Sequence, residues 1–397
     1  MAKNYILFDS PDTRKDLLPL TFTRPIAGLR IGILTICEKW NKYLNTNCSF
    51  HTEGYLSEKF PITISSDNVF IDASVLPSPA LVKEIEQLKI GQMLVSDSRL
   101  VACRMDEAKA IDFSPAEVSS HKVPVSTSLS SISYPWDIFL YNDAEIRADY
   151  KLIVNNRISQ PLSGTNNLIG NGPVFLEPGA MVEGAILNTT NGPIYIGKDA
   201  EVMEGSMIRG PFVLAEHSSV KMGAKIYGAT TIGPHSKVGG ELNNVVINGY
   251  SNKAHDGFLG NAVLGEWCNM GADSNNSNLK NNYAEVRLWN YRQERFIKSG
   301  QQFAGLIMGD HSKCGINTMF NTGTVVGVSA NIFGAGFPRN FVPSFSWGGP
   351  QGISVYALNK AFETAEKVLS RRNIELNDIE KNILKEVFKQ TEQYRRF

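Results

Sequence analysis

Along the middle of the chain the apolar positions follow neither the helical spacing nor a strict alternation. From Ile196 to Val238 a branched aliphatic residue recurs at every sixth position: Ile196, Val202, Ile208, Leu214, Val220, Ile226, Ile232 and Val238. Period six predicts one short strand and one turn per hexapeptide. Small residues such as Gly197, Ala200, Ser206, Ser218, Gly233 and Ser236 follow at positions where a narrow coil must turn a corner. Leu176 and Val182 open the series. After a slip in phase it resumes at Phe258, Leu264 and Met270, and again at Met308, Cys314, Phe320, Val326 and Ile332. A hexapeptide unit cannot bury its apolar face alone, so its coils must stack. The pattern predicts a parallel β-solenoid over residues 160–345.

Residues 277–303 lack the period and are rich in aromatic and charged side chains. They are expected to protrude as a loop that either serves binding or covers a coil edge or a subunit contact. Beyond residue 350 the apolar spacing turns helical. Val355, Leu358, Phe362, Ala365 and Leu369 form one stripe, and Leu376, Ile379, Ile383, Leu384, Val387 and Phe388 form another, with Arg371-Arg372-Asn373 between them. This helical tail, residues 350–397, is expected to cap the open end of the solenoid or to mediate oligomerisation.

Residues 1–155 carry no repeat. Ile6-Leu7 reads as a first strand, Asn68 to Asp72 as a strand ending in an acidic residue, and Ala80 to Leu88 as a helix. The combination predicts an α/β domain, so the fold class is α/β followed by all-β with terminal helices.

Composition narrows the chemistry. Of 397 residues 42% are hydrophobic, and Lys+Arg and Asp+Glu balance at 39 each, so no net field favours nucleic acid or an anionic membrane. The first residues turn polar after three apolar ones and no stretch approaches a transmembrane length, which predicts a cytoplasmic protein with neither nucleic-acid nor membrane partners. Cys37, Cys48, Cys103, Cys268 and Cys314 are widely spaced and odd in number, and are expected to be reduced and mostly buried.

The segment Ser251-Asn252-Lys253-Ala254-His255-Asp256-Gly257-Phe258-Leu259-Gly260, continuing to Asn269-Met270-Gly271-Ala272, resembles the acetyltransferase region of the bifunctional N-acetylglucosamine-1-phosphate uridyltransferase / glucosamine-1-phosphate acetyltransferase family. That resemblance implies a left-handed parallel β-helix, usually assembled as a homotrimer. It also implies acetyl-CoA (acyl-CoA) as cosubstrate and His255 as the general base for an amino-sugar nitrogen. An ammonium is not a nucleophile, and an imidazole can take its proton near neutral pH. The alternative is a histidine hydrogen-bonded at a coil corner. Asp256 is a turn residue or orients the imidazole.

By the same resemblance Asn269 and Asn278 contact sugar and acyl groups, or else stack as ladder asparagines. Asn317 and Thr318, in Gly315-Ile316-Asn317-Thr318, and Arg339 fall near the CoA site. Two positions depart from the family: its tyrosine is Phe258, and the lysine that grips the sugar phosphate is Asn243. Both losses weaken the acceptor's phosphate contacts. Lys225 is near enough in the alignment to supply a cation.

At the N-terminus Thr13-Arg14, Pro19-Leu20-Thr21 and Arg24-Pro25 resemble the entry motif of the sugar nucleotidyltransferases, which implies a truncated Rossmann-like, nucleotidyltransferase-like domain with Arg14 and Arg24 at a nucleotide. The two loop glycines that admit phosphates are Ser10 and Asp12 here. The loop binds its nucleotide differently or the domain no longer transfers nucleotidyl groups. Asp72 is either a Mg²⁺ ligand or a plain turn aspartate. Three functions stay open: a CoA-dependent acyltransferase acting on an amino-sugar phosphate or sugar nucleotide in cell-envelope precursor synthesis, a UTP- or dTTP-dependent sugar-1-phosphate nucleotidyltransferase with a structural solenoid, and a non-catalytic sugar-nucleotide binder.

Overall fold

The computed structural model describes residues 3–397 apart from 98, 116 and 118–120. Backbone contacts divide the chain into two compact units, one of residues 1–17, 23–29 and 34–134 and one of residues 18–22, 30–33 and 135–397.

The first unit is built on strands β1 (Asn4–Phe8), β2 (Ser49–His51), β3 (Asp67–Asp72), β4 (Gln92–Ser96), β5 (Arg99–Asp106) and β6 (His121–Pro124). They form one sheet in the order β2-β1-β3-β5-β4-β6. The first three are parallel, whereas β5 runs antiparallel to both β3 and β4. The expected Rossmann-like arrangement is thus confined to β2-β1-β3. Burial along the whole of β3 agrees with a strand covered on both faces; its Phe70 ring stacks on Phe113 at 3.8 Å.

Local signals set the helices. α1 is Pro11–Asp16. α2 (Ile36–Leu44) starts at a reciprocal capping box of Thr35 and Glu38 and ends at Asn45 in the left-handed conformation. α3 (Pro79–Gln87) has Pro79 in its first turn and Ser78 accepting from the Leu81 amide at 3.2 Å.

In the second unit three parallel sheet faces wind around one core. All eight residues of the unbroken hexad lie in that core. On the first face Leu176, Ile196, Leu214 and Ile232 stand in register, so the coils from Ile196 to Ile232 take eighteen residues each, three hexapeptides.

The slip in phase has a geometric cause. Ile232 pairs with Ile247 and Ile247 with Leu264, coils of fifteen and seventeen residues. Two long strands, β7 (Glu241–Gly249) and β8 (Phe258–Glu266), each cross a corner and serve two faces. As a result Leu259 points into the core, and Phe258, expected there from the six-residue count, points outward.

The division at residue 134 differs from the domain boundary expected near 155. α4 (Pro135–Val154) belongs with the solenoid, because Asn142 donates to the Ala229 carbonyl at 2.9 Å and accepts from the Gly32 amide at 2.8 Å. Residue 32 must be glycine: its φ is +75°, and a Cβ would sit 2.5 Å from the Asp149 carboxylate.

The aperiodic segment does not stand free. β9 (Arg287–Asn290) and β10 (Arg295–Lys298) form an antiparallel hairpin in which Val286 and Leu288 are buried. Trp289 stacks on Phe341 at 4.3 Å, and Tyr291 meets Phe341 and Tyr394 edge-on. It covers coils, the second of the two roles considered for it.

The two tail helices, α5 (Leu358–Ser370) and α6 (Asp378–Gln390), match the apolar stripes except at their starts, since Val355 ends a strand and Leu376 precedes α6. Arg372 between them donates to the His235 carbonyl at 2.9 Å, and Phe388 packs edge-on against Phe345. The pair therefore lies along the flank of the coils. The ladder itself ends where Ser346–Gly349 pairs antiparallel with Gly352–Val355. That hairpin, and not the helices, closes the last rung. All five cysteines are free, four of them buried and Cys37 half-buried.

Candidate active site

His255 lies on the turn that leads from the strand Asn252–Lys253 into β8. The turn is fastened on several sides. The Asp273 amide donates to the Asp256 carbonyl at 3.0 Å, the Glu241 amide to the Gly257 carbonyl at 3.2 Å, and the Phe258 amide to Asn275 Oδ1 at 2.7 Å. His255 and Asp256 are themselves exposed. An anchored main chain with an open imidazole suits a group that must meet a substrate in a fixed direction.

The next residues along β8 form a ledge. A Cβ on Gly260 would sit 2.4 Å from the Phe258 ring and 2.8 Å from Asn278 Nδ2, so the ring and the amide meet over that glycine. Asn278 Nδ2 donates to Asn261 Oδ1 at 2.8 Å. Register extends the same face: Lys225 pairs with Glu241 and Glu241 with Phe258, while beside them Tyr227 pairs with Asn243 and Asn243 with Gly260.

Four sequence candidates, Lys225, Asn243, Phe258 and Asn278, therefore share the face that His255 adjoins. Glu241 and Tyr227 join them unforeseen, linked by a 2.5 Å hydrogen bond from the phenol to the carboxylate. That bond, aided by burial, pushes the Tyr227 phenol up to about 12. Outward positions of a hexapeptide carry no periodic signal, which is why these two were missed.

The other candidates lie elsewhere. Asn269 is on a different face, where Asn252 Nδ2 approaches its Oδ1 at 3.4 Å and where it stands in register with Lys313. Its side chain stands in a ladder with that of Asn252 there. Asn317 is exposed at the corner above His255, its amide donating to the Ala272 carbonyl at 2.8 Å. Thr318 is buried and its hydroxyl donates to the Gly315 carbonyl at 2.9 Å, so it braces that turn instead of facing a ligand. Arg339 is exposed on the loop before Phe341–Val342.

In the first unit the segment after β1 is closed by its own side chains. Asp9 accepts from the Ile26 amide at 2.9 Å, from Thr52 at 2.5 Å and from Arg14 at 2.8 Å. Arg14, only 4% exposed, also donates to the Arg24 carbonyl at 3.0 Å and to the Tyr55 hydroxyl at 3.1 Å. Burial pushes the Asp9 carboxyl up, and Arg14, Thr52 and the Ile26 amide pull it back. Arg14 thus meets Asp9 where a phosphate was expected. Arg24 is buried as well. Ser10 and Asp12 fit because this stretch is the start of α1, whose Ser10 has ordinary extended dihedrals that need no glycine.

Asp72 does end a strand, but its carboxylate takes Arg99 at 2.9 and 3.0 Å and Ser74 at 2.7 and 2.9 Å. Among the described residues no group of three His, Cys, Asp or Glu side chains is placed to hold a metal ion. With Arg99 on one oxygen and Ser74 on the other, Asp72 does not fit a Mg²⁺ ligand.

Residues 5–158 match the family model of sugar nucleotidyl transferases. Over 144 residues the chain is 34% identical to a bifunctional sugar-1-phosphate nucleotidylyltransferase/acetyltransferase of Sulfurisphaera tokodaii, covering 36% of this chain and 35% of that protein. Over 92 residues it is 32% identical to the bifunctional protein GlmU of Methanococcus aeolicus, covering 23% and 22%. The matches thus span about a third or less of these curated relatives. Among solved structures it is similar to the polySia-specific acetyltransferase NeuO, at 13% identity and a TM-score of 0.26 over 49% of this chain and 86% of that one. It is also similar to a UDP-N-acetylglucosamine acyltransferase of Francisella novicida, at 12% identity and a TM-score of 0.25 over 59% and 78%. No helix among the described residues is long and apolar enough to cross a membrane.

Proposed function

We propose that the protein is a CoA-dependent acyltransferase of sugar-nucleotide metabolism, with His255 as the general base. The observation that carries this reading is the His255 turn, fastened through its main chain while its imidazole is open beside the Phe258–Asn278 ledge. The acceptor is an amino-sugar phosphate or amino-sugar nucleotide. Its nitrogen attacks the thioester carbonyl of acetyl-CoA, a C–N bond forms, the C–S bond breaks, and His255 takes the proton that the nitrogen sheds. That proton then passes to the departing thiolate, so the products are an amide and CoA. Asn278, held by Asn261, offers its amide to the sugar. Lys225 is an exposed cation on the acceptor face, and Asn317 and Arg339 are the exposed candidates for CoA.

Supply of acetyl-CoA favours a cytoplasmic location, and exposed Ile186 and Met207 on the acceptor face favour a homotrimer in which neighbours complete the site. Sedimentation distinguishes that assembly from a monomer. For the nucleotidyltransferase-like unit, the buried Asp9–Arg14 pair favours loss of nucleotidyl transfer. The function is tested by thiol release from acetyl-CoA with a panel of amino-sugar phosphates and nucleotides. His255→Ala should lower the rate by about 10²–10⁴ without unfolding the protein. Wild-type turnover in that variant would remove His255 from the reaction.

A further inference from the structure

The third face of the solenoid has an inner column formed by Val182, Val202, Val220, Val238, Lys253, Met270, Cys314 and Ile332. Seven of these side chains are ordinary core residues. The eighth is a lysine, 2% exposed, at a rung where the four preceding coils each place a valine. Nothing in hexapeptide packing asks for an amine there, and burying an ammonium is costly unless its protons find acceptors.

The acceptors are specific. Nζ of Lys253 donates to the carbonyl of Gly239, on the preceding coil, at 3.1 Å, and to the carbonyl of His255, on its own turn. A single buried cation thus joins the peptide of the candidate base to the coil beneath it.

We propose that Lys253 is a positioning residue: its buried ammonium clamps the His255 carbonyl to the coil of Gly239 and so sets the direction in which the imidazole leaves the turn. The role rests on the reading of His255 as the base. Misplacing a catalytic group by about 1 Å can cost about 10²-fold in rate, so a clamp on this turn repays a core position lost to an amine. Burial lowers the Lys253 ammonium to about 8, and Asp256, Cys314 and Asp273 around it act in the opposite direction. The clamp is therefore closed at neutral pH and opens on the alkaline side.

The test compares full-length wild type with Lys253→Met, which keeps the length of the side chain and removes the ammonium. Amide hydrogen exchange at residues 254–257 and acetyl transfer over pH 6.5–9.5 are both read. In the variant, exchange at 254–257 should quicken about tenfold, kcat should fall about tenfold or more, and KM for acetyl-CoA should stay within about twofold. The fall of the wild-type rate near pH 8 should be missing from the variant. Thermal stability should hold or rise, which separates positioning from a structural role. Wild-type kcat in the variant overturns the proposal, as does a loss of kcat that accompanies a lower Tm with exchange at 254–257 unchanged. His255→Ala is measured alongside. If it keeps full turnover the base reading fails, and the exchange at 254–257 alone then decides whether the clamp exists.

Discussion

Two turns hold the polar residues on which the chemistry of this chain was expected to rest, and they use those residues in opposite ways. After β1, Asp9 and Arg14 spend their hydrogen bonds on each other, on Thr52 and Tyr55 and on the main chain at residues 24 and 26. At the solenoid corner the main chain and the buried Lys253 do the fastening, and the imidazole of His255 is left open. A motif residue can act on a ligand only if the fold has not already consumed its valences. The resemblance was drawn at both turns; the first engages Arg14 with Asp9, whereas the second leaves the side chain of His255 exposed.

The largest effect that sharpens this contrast is the loss of about 10²–10⁴ in acetyl transfer for His255→Ala, read as CoA release. Next comes the closed turn. Asp9→Ala removes the buried carboxylate that faces the Arg14 guanidinium, which should destabilise the first unit by about 3–5 kcal/mol in denaturant unfolding. Removing both charges with Asp9→Ala/Arg14→Met should restore most of that loss, since neither member of the buried pair then remains. If Asp9→Ala were neutral, the turn would not be closed as described and the contrast would fail.

A smaller effect is expected on the ledge. Asn278→Ala removes one amide contact and should raise KM for the acceptor by about fivefold, about 1 kcal/mol, with KM for acetyl-CoA unchanged in steady-state kinetics. A change confined to acetyl-CoA would assign the ledge to the other substrate. The smallest effect concerns pH. Lys253 has a folded pKa of about 8, below the unfolded value of about 10.4, so between these values the unfolded chain binds more protons and stability rises with pH. Lys253→Met abolishes that rise. Its Tm should exceed that of the wild type by a few degrees at pH 7, and the gap should close by about pH 10.5. A gap independent of pH would place the ionisation elsewhere.

Much of the solenoid was legible because its core repeats. Each of the eight aliphatic residues from Ile196 to Val238 recurs at the spacing of one face, and all eight are in the core. α3 was expected within one residue of where it lies. Outward positions were less legible: Glu241 and Tyr227 matter only because register brings them beside Asn243 and Phe258. The reversal of Phe258 and Leu259 arose from shortened corners, which a six-residue count cannot register.

By itself the sequence determined the coil, its period, the position of its slip in phase and the histidine that lies beside it, because these depend on spacing along the chain. Tertiary structure alone decided which polar groups were spent and which were free. It paired Arg14 with Asp9 and Asp72 with Arg99, folded the aromatic hairpin onto Phe341, and turned Lys253 inward beneath His255. The reason is physical: a hydrogen bond or ion pair depends on which groups the folded backbone brings face to face, five residues apart for Asp9 and Arg14 and 27 for Asp72 and Arg99, and the periodicity of the chain does not encode those meetings.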